Sequence, residues 1–418
     1  MTLSRRLFYA IVFVLFQIGL TSSADDKPTK RPKFTVSKET TYVTKPLTKD
    51  GFPDYAMAIN ERLSQGVTAE NNAVVLFYQA LGPVPDGTRQ SPKFFKLLGM
   101  PIPPDDGQYM VTITDYALNN LKLGQQDERF QAVIEQQGKS TEGPWTEQEL
   151  PDIAFWLKLN DKPLSFVTAG SMRSKYYSPM LPFEDTPGLI NVRLPGVQIS
   201  RAFARALTAR AMLHLGHGRI EAAWQDLQTC HRVGRLLGQG PTVIEALVSI
   251  AIDKMAHHGD LIFLQTVKPS AKQTREYLRQ LEQLPPLPNV VDQIDLTERC
   301  LFLDSTLLVA RGDKDGMEVI DAGAWFKAWS GFFNTDEVEW DVVLRNGNTW
   351  YDKIVTVLRT DDRAEMKESF AQFEEDFKKL TEQSKDKTRL VAVFVKSKSK
   401  GEAVAKLISD VLITLMMP

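Results

Sequence analysis

The segment Ile220-Glu221-Ala222-Ala223-Trp224-Gln225-Asp226-Leu227-Gln228-Thr229-Cys230-His231-Arg232-Val233-Gly234-Arg235-Leu236-Leu237 carries the clearest structural signal in the chain. Ile220, Ala223, Leu227, Cys230, Gly234 and Leu237 recur at alternating spacings of three and four, which places them on one seam of an α-helix. Gly216-His217-Gly218 precedes the segment and Gly238-Gln239-Gly240-Pro241 follows it, so residues 198–283 read as three long helices joined by short turns. Cys230 sits on the seam and reads as a buried thiol.

The same pattern continues on both sides. Upstream, helices are expected over Pro53–Gln65, Ala69–Leu81, Lys93–Leu98 and Thr146–Leu159, with strands at Tyr109–Thr114 and Leu164–Thr168. Downstream, helices are expected over Val290–Ala310, Trp340–Leu358 and Glu402–Met416, with a strand at Arg389–Lys396. Met366, Phe370, Phe373, Phe377 and Leu380 stripe the segment Arg363–Gln383 at spacings of four and three, as a helix packing against its own core would. The expected class is mainly α, a helical bundle or irregular helical array with minor β segments.

With 418 residues, 43% of them hydrophobic and a net charge of −2, the chain is long enough for two or three cores and has no overall basic character for nucleic acid. Met1 to Arg6 ends on two arginines, an apolar run follows from Leu7 to Leu20, and Ser22 and Ala24 stand just before Asp25-Asp26. This is the layout of a secretory signal cleaved after Ala24, and the apolar run is short for a membrane span. Export to the periplasm or cell envelope is the expectation, with membrane anchoring if the signal is retained. Ser4-Arg5-Arg6-Leu7-Phe8 also fits a twin-arginine signal. Residues 25–50 are rich in Lys, Thr and Pro and read as a flexible linker, 51–196 as a mixed region, and 197–418 as the helical region.

Two stretches carry a resemblance. Residues 203–237, with Ala211, Gly218-Arg219-Ile220-Glu221-Ala222-Ala223 and Cys230, resemble one tetratricopeptide-type helix pair, but no second copy follows at that period and a lone pair forms no peptide groove. Pro46-Leu47-Thr48-Lys49-Asp50-Gly51-Phe52-Pro53-Asp54-Tyr55, Asn60-Glu61-Arg62-Leu63-Ser64-Gln65-Gly66-Val67, Asn71-Asn72-Ala73, Ala80-Leu81-Gly82-Pro83, Arg210-Ala211-Met212-Leu213 and Gln225-Asp226-Leu227 resemble a family of exported bacterial proteins of unknown function. That resemblance implies export and a helical core and supplies no ligand or catalytic residue. Relatives of this kind continue past a Met-Pro like Met417-Pro418, so the end at Pro418 is read as either natural or truncated.

All five histidines, His214, His217, His231, His257 and His258, fall between positions 214 and 258. In an antiparallel bundle, at ~1.5 Å per residue, His231 lies roughly 18 Å from the turn that carries His214 and His217. His257 and His258, roughly 24 Å along the returning helix, are expected level with His214 and His217, beside Asp260. Such a group suits zinc or a similar divalent metal and underlies one functional reading, an exported metal-dependent hydrolase. No Gly-x-Ser-x-Gly elbow, phosphate loop, His-Glu-x-x-His or dinucleotide fingerprint occurs in the chain. The leading reading is therefore a non-enzymatic binding or scaffold protein without a cofactor, whose partner is an envelope protein or glycan.

The remaining candidate is aromatic. Trp325, Trp329, Trp340 and Trp350 stand among Phe326, Phe332, Phe333 and Tyr351, and Trp325 and Trp350 are the candidate ligand-binding residues. Trp329 and Phe333 are expected in a core. Cys230 and Cys300 are expected to stay unbridged, because a bridge needs Cα atoms within about 7 Å.

Overall fold

The computed structural model describes residues 32–182, 188–313, 337–385, 393 and 395–416. Its architecture is mainly α-helical, and only isolated β-bridges occur among the described residues. The chain divides into two compact units, one of Met57–Leu181 and Arg193–Glu298, the other of residues through Ala56, Pro182–Val192 and Arg299–Pro418. The boundary expected at 196 therefore falls inside the first unit, whose core draws on both halves of the chain.

In the first unit, α1 (Tyr55–Leu63, of which Tyr55 and Ala56 belong to the other unit), α2 (Ala73–Leu81), α3 (Pro92–Leu98), α4 (Glu128–Lys139), α5 (Pro151–Leu159) and α6 (Asp161–Ser171) precede the long helices. Those are α7 (Pro195–Gly216), α8 (Ile220–Leu237) and α9 (Val243–Val267), followed by α10 (Ala271–Glu282). The seam read from the sequence is the contact face of α8: Ala223, Leu227, Cys230, Gly234 and Leu237 are buried there, and Ile220 is half-buried at its start. Two glycines let α8 and α9 approach closely. A Cβ on Gly259 of α9 would lie 2.4 Å from Leu227 Cδ2, and one on Gly234 of α8 would lie 3.2 Å from Ser249 O. Gly216 ends α7 against Trp145, where a Cβ would meet the carbonyl oxygen at 2.0 Å.

The strand expected at Leu164–Thr168 lies within α6, because its alternation is outweighed by the helical stripe of Leu164 and Val167 facing the core. At Tyr109–Thr114 the chain is extended only to Thr112 and then turns helical. No partner strand is needed there, because Asn160 stands in for one. Its amide accepts from Val111 N at 2.8 Å and donates to Val111 O at 3.0 Å. Asn60 does the same for Met180 and Asn72 for Tyr177, at 2.8–2.9 Å. Each buried amide thus pairs with a backbone N–H and C=O, and at Val111 the carbonyl also accepts from Trp156 Nε1 at 2.7 Å.

The second unit contains α11 (Arg299–Arg311), α12 (Trp340–Leu358), α13 (Arg363–Lys385) and α14 (Lys400–Met416). The helix expected over Val290–Ala310 is interrupted by a π-turn at Ile294–Glu298 before α11 begins. Gly347 admits Phe302, with a Cβ there only 2.0 Å from the ring. The described part of the expected linker, 32–50, makes defined contacts within its own unit. Thr40 and Thr41 are buried, Tyr55 donates to Thr41 O at 3.0 Å, and Asn348 donates to Glu39 O and Thr40 O. Arg299 is buried with its guanidinium over the Tyr42 ring and 2.7 Å from Asp352. A composition typical of linkers did not reveal this, because backbone carbonyls and one aromatic ring supply the contacts. The expected strand at Arg389–Lys396 and the signal segment lie largely or wholly outside the described residues.

Candidate functional site

On α9, Asp253, His257 and Asp260 follow one another at i, i+4 and i+7, so they share one face. Thr242 and Glu245 begin this helix with a reciprocal capping box, which sets the start of that face. On α8, His231 and Arg235 are likewise four apart and turn toward it. His231 Nδ1 lies 2.9 Å from Asp253 Oδ1 and His231 Nε2 2.9 Å from Asp260 Oδ2. His257 spans the same two carboxylates from above, with Nε2 3.2 Å from Asp253 Oδ2 and Nδ1 3.5 Å from Asp260 Oδ2. The imidazole of His231 is fully buried, whereas that of His257 is exposed. Arg235 completes the group, donating to Asp253 from Nε at 3.0 Å and from Nη2 at 3.2 Å.

The protonation of His231 follows from its partners. Ionised carboxylates only accept, so hydrogen bonds from both ring nitrogens require the imidazolium. Burial by itself lowers the His231 pKa, but the hydrogen bonds to Asp253 and Asp260 outweigh it and hold the pKa above its ordinary value. For Asp253, burial raises the pKa, and His231 and Arg235 overcome that and hold it below the usual carboxylate range. The two cations His231 and Arg235 thus balance the two carboxylates. One atom is left over: Asp260 Oδ1 is buried with no hydrogen-bond partner.

The structure groups the histidines differently from the sequence expectation. His231, expected apart, joins His257 and Asp260. His214 and His217 lie elsewhere: His214 Nε2 is 3.6 Å from Asp226, which Arg210 also holds through two hydrogen bonds, and His217 Nε2 is 2.7 Å from Glu147. His258 is exposed on α9 and outside the group. The reason is register. Gly259 packs on Leu227 and Gly234 on Ile252, so His257 comes level with the turn of α8 just before His231, well short of the α7–α8 connection. Asp253 and Arg235 were not singled out as site residues, although the i, i+4, i+7 spacing of Asp253, His257 and Asp260 was present in the sequence.

The aromatic candidates resolve less far. Trp325, Trp329 and Phe333 lie outside the described residues. Trp350 of α12 is half-buried, with its ring 5.7 Å from Phe373 and 6.0 Å from Phe377 of α13 and with Lys353 Nζ over its face at 4.7 Å. It packs the α12–α13 contact, which also absorbs the aromatic stripe of α13. Both cysteines are buried thiols, and burial pushes the Cys230 pKa up to about 12, so it is a weak nucleophile. No helix among the described residues is long and apolar enough to cross a membrane. Comparisons of the chain with protein-family models, with curated proteins and with solved structures find no match.

Proposed function

We propose that this chain is an exported, non-enzymatic binding protein of the periplasm or cell envelope, anchored there if its signal is retained, and that its recognition surface is the outer face of α9. The observation that carries this reading is that Ile244, Leu247, Ile250, Leu261 and Leu264 are all between 36% and 59% exposed on one helix. With Lys254 and His258 they follow one another at spacings of three or four, so the face is a continuous apolar strip with a basic centre. A second copy packed antiparallel on this strip would set Lys254 against itself. An amphipathic helix with a central carboxylate is the complementary partner, since it matches both the apolar ends and the charge. Export is supported by the signal-like segment alone.

Two designed helical peptides test the surface, identical in their leucines but with either Glu or Lys at the centre. Fluorescence anisotropy with the full chain should show the Glu peptide binding at least ~5-fold more tightly, and Ile250→Asp should abolish the difference. Equal binding of the two peptides, or wild-type affinity in Ile250→Asp, overturns the reading.

A second reading, an exported metal-dependent hydrolase, is favoured by the convergence of His231, Asp253 and His257. It requires a bound metal before any chemistry is assigned.

A further inference from the structure

We propose that His231, Asp253 and His257 bind one divalent cation of the zinc class, with Asp260 orienting His231. One donor atom from each of the three ligands lies within 4.8 Å of the others. A tetrahedral cation bonded at ~2.0–2.2 Å holds its ligand atoms about 3.3–3.6 Å apart. The exposed side chain of His257 is the ligand free to move to that spacing. Two imidazoles and a carboxylate are the donor set preferred by borderline divalent metals, and three protein ligands leave a fourth position to water.

Two features outside the ligand set support the site. Asp260 accepts from His231 Nε2, the arrangement in which a carboxylate fixes the tautomer of a metal-bound histidine and presents its other nitrogen. The second oxygen of Asp260, in a residue only 6% exposed, has no hydrogen-bond partner beside the ligands. Binding is an exchange. His231 Nδ1 releases its proton to solvent and gives its lone pair to the cation, while Nε2 keeps its proton on Asp260. The groups that face the cation are His231 and Arg235 from α8 and Asp253, His257 and Asp260 from α9. Arg235 opposes the cation through its hold on Asp253, so binding is weaker than charge-free ligands would give. Because a proton leaves as the cation enters, affinity falls as pH falls. This inference does not depend on the partner-helix reading, and its ligands lie on the face of α9 adjoining that strip.

Competition of the full chain with a chromogenic chelator for Zn²⁺ tests the site. Near neutral pH, one equivalent should bind, and near pH 5 the affinity should drop at least ~10-fold. His257→Ala should weaken binding by at least ~10-fold with an unchanged melting temperature in EDTA, while His258→Ala should match the wild type. Should His257→Ala lose its fold, His257→Gln takes its place. Absence of stoichiometric Zn²⁺ binding, equal loss in the His257 and His258 variants, or affinity independent of pH overturns the site.

Discussion

His231 shows how much a single buried side chain depends on its neighbours. Its charge is retained in a fully buried position only because both ring nitrogens reach carboxylates. Removing it strands Asp253 and Asp260, and His231→Gln should cost about 3–5 kcal/mol where the imidazolium is present. The pH dependence has a definite sign. A pKa raised in the folded protein stabilises fully below the ordinary value of 6.5 and ceases to do so as pH rises through the higher folded value. Asp253, with a lowered pKa, stabilises above its ordinary value of 3.8 and loses that contribution as pH falls through its folded value. The gap in melting temperature between wild type and His231→Gln, measured in metal-free buffer, should therefore be widest at mildly acid pH and shrink on the alkaline side. A gap that widens above neutrality would contradict the imidazolium. Glu245, which burial raises to about 7, weakens both proteins alike over the same range and cancels in the difference.

At the scale of elements, the α8–α9 contact rests on glycines set opposite large side chains, Gly259 on Leu227 and Gly234 on Ile252. Interiors packed this closely take an extra methyl poorly. Gly259→Ala should cost about 1–3 kcal/mol in denaturant unfolding, since its Cβ falls 2.4 Å from Leu227 Cδ2. The pair Gly259→Ala, Leu227→Ala should recover part of that loss if the clash is the cause. The register set by these glycines also brings His257 beside His231, so helix packing and the candidate cation site share one origin. Three extended connections in the same unit are held by Asn60, Asn72 and Asn160, each replacing a strand with one amide. This is why the alternating segment at Tyr109–Thr114 needs no partner strand.

At the scale of the whole molecule, each of the two units is assembled from segments distant in sequence. Cys230 belongs to one and Cys300 to the other, and both are buried. Neither thiol should react with a maleimide in the native protein, and both should react after denaturation without reductant, as read by intact mass. Reaction that requires reductant would reveal a disulfide. The segment 32–50 is part of the second unit, where Arg299 and Asn348 contact it, an association its Lys- and Pro-rich composition did not reveal.

Helix positions were legible in the sequence because a 3.6-residue period is a local property. The seam of α8, the bounds of α12 and the stripe of α13 follow from spacing alone, and the free-energy gain from burying such a face makes each reading self-consistent. The candidate site was partly legible: His257 and Asp260 were among the expected ligands, whereas Asp253 was missed, His258 was included, and His214 and His217 stood in place of His231. Which residues oppose the His257 face of α9 depends on the register between two helices, and that register is decided by where Gly234 and Gly259 allow contact. His231 lies roughly 18 Å along α8 from the turn that carries His214 and His217, more than three helical turns, so the register between α8 and α9 decides which histidines meet His257. Pairing across helices is a property of packed side-chain volumes, and those exist only in the tertiary structure.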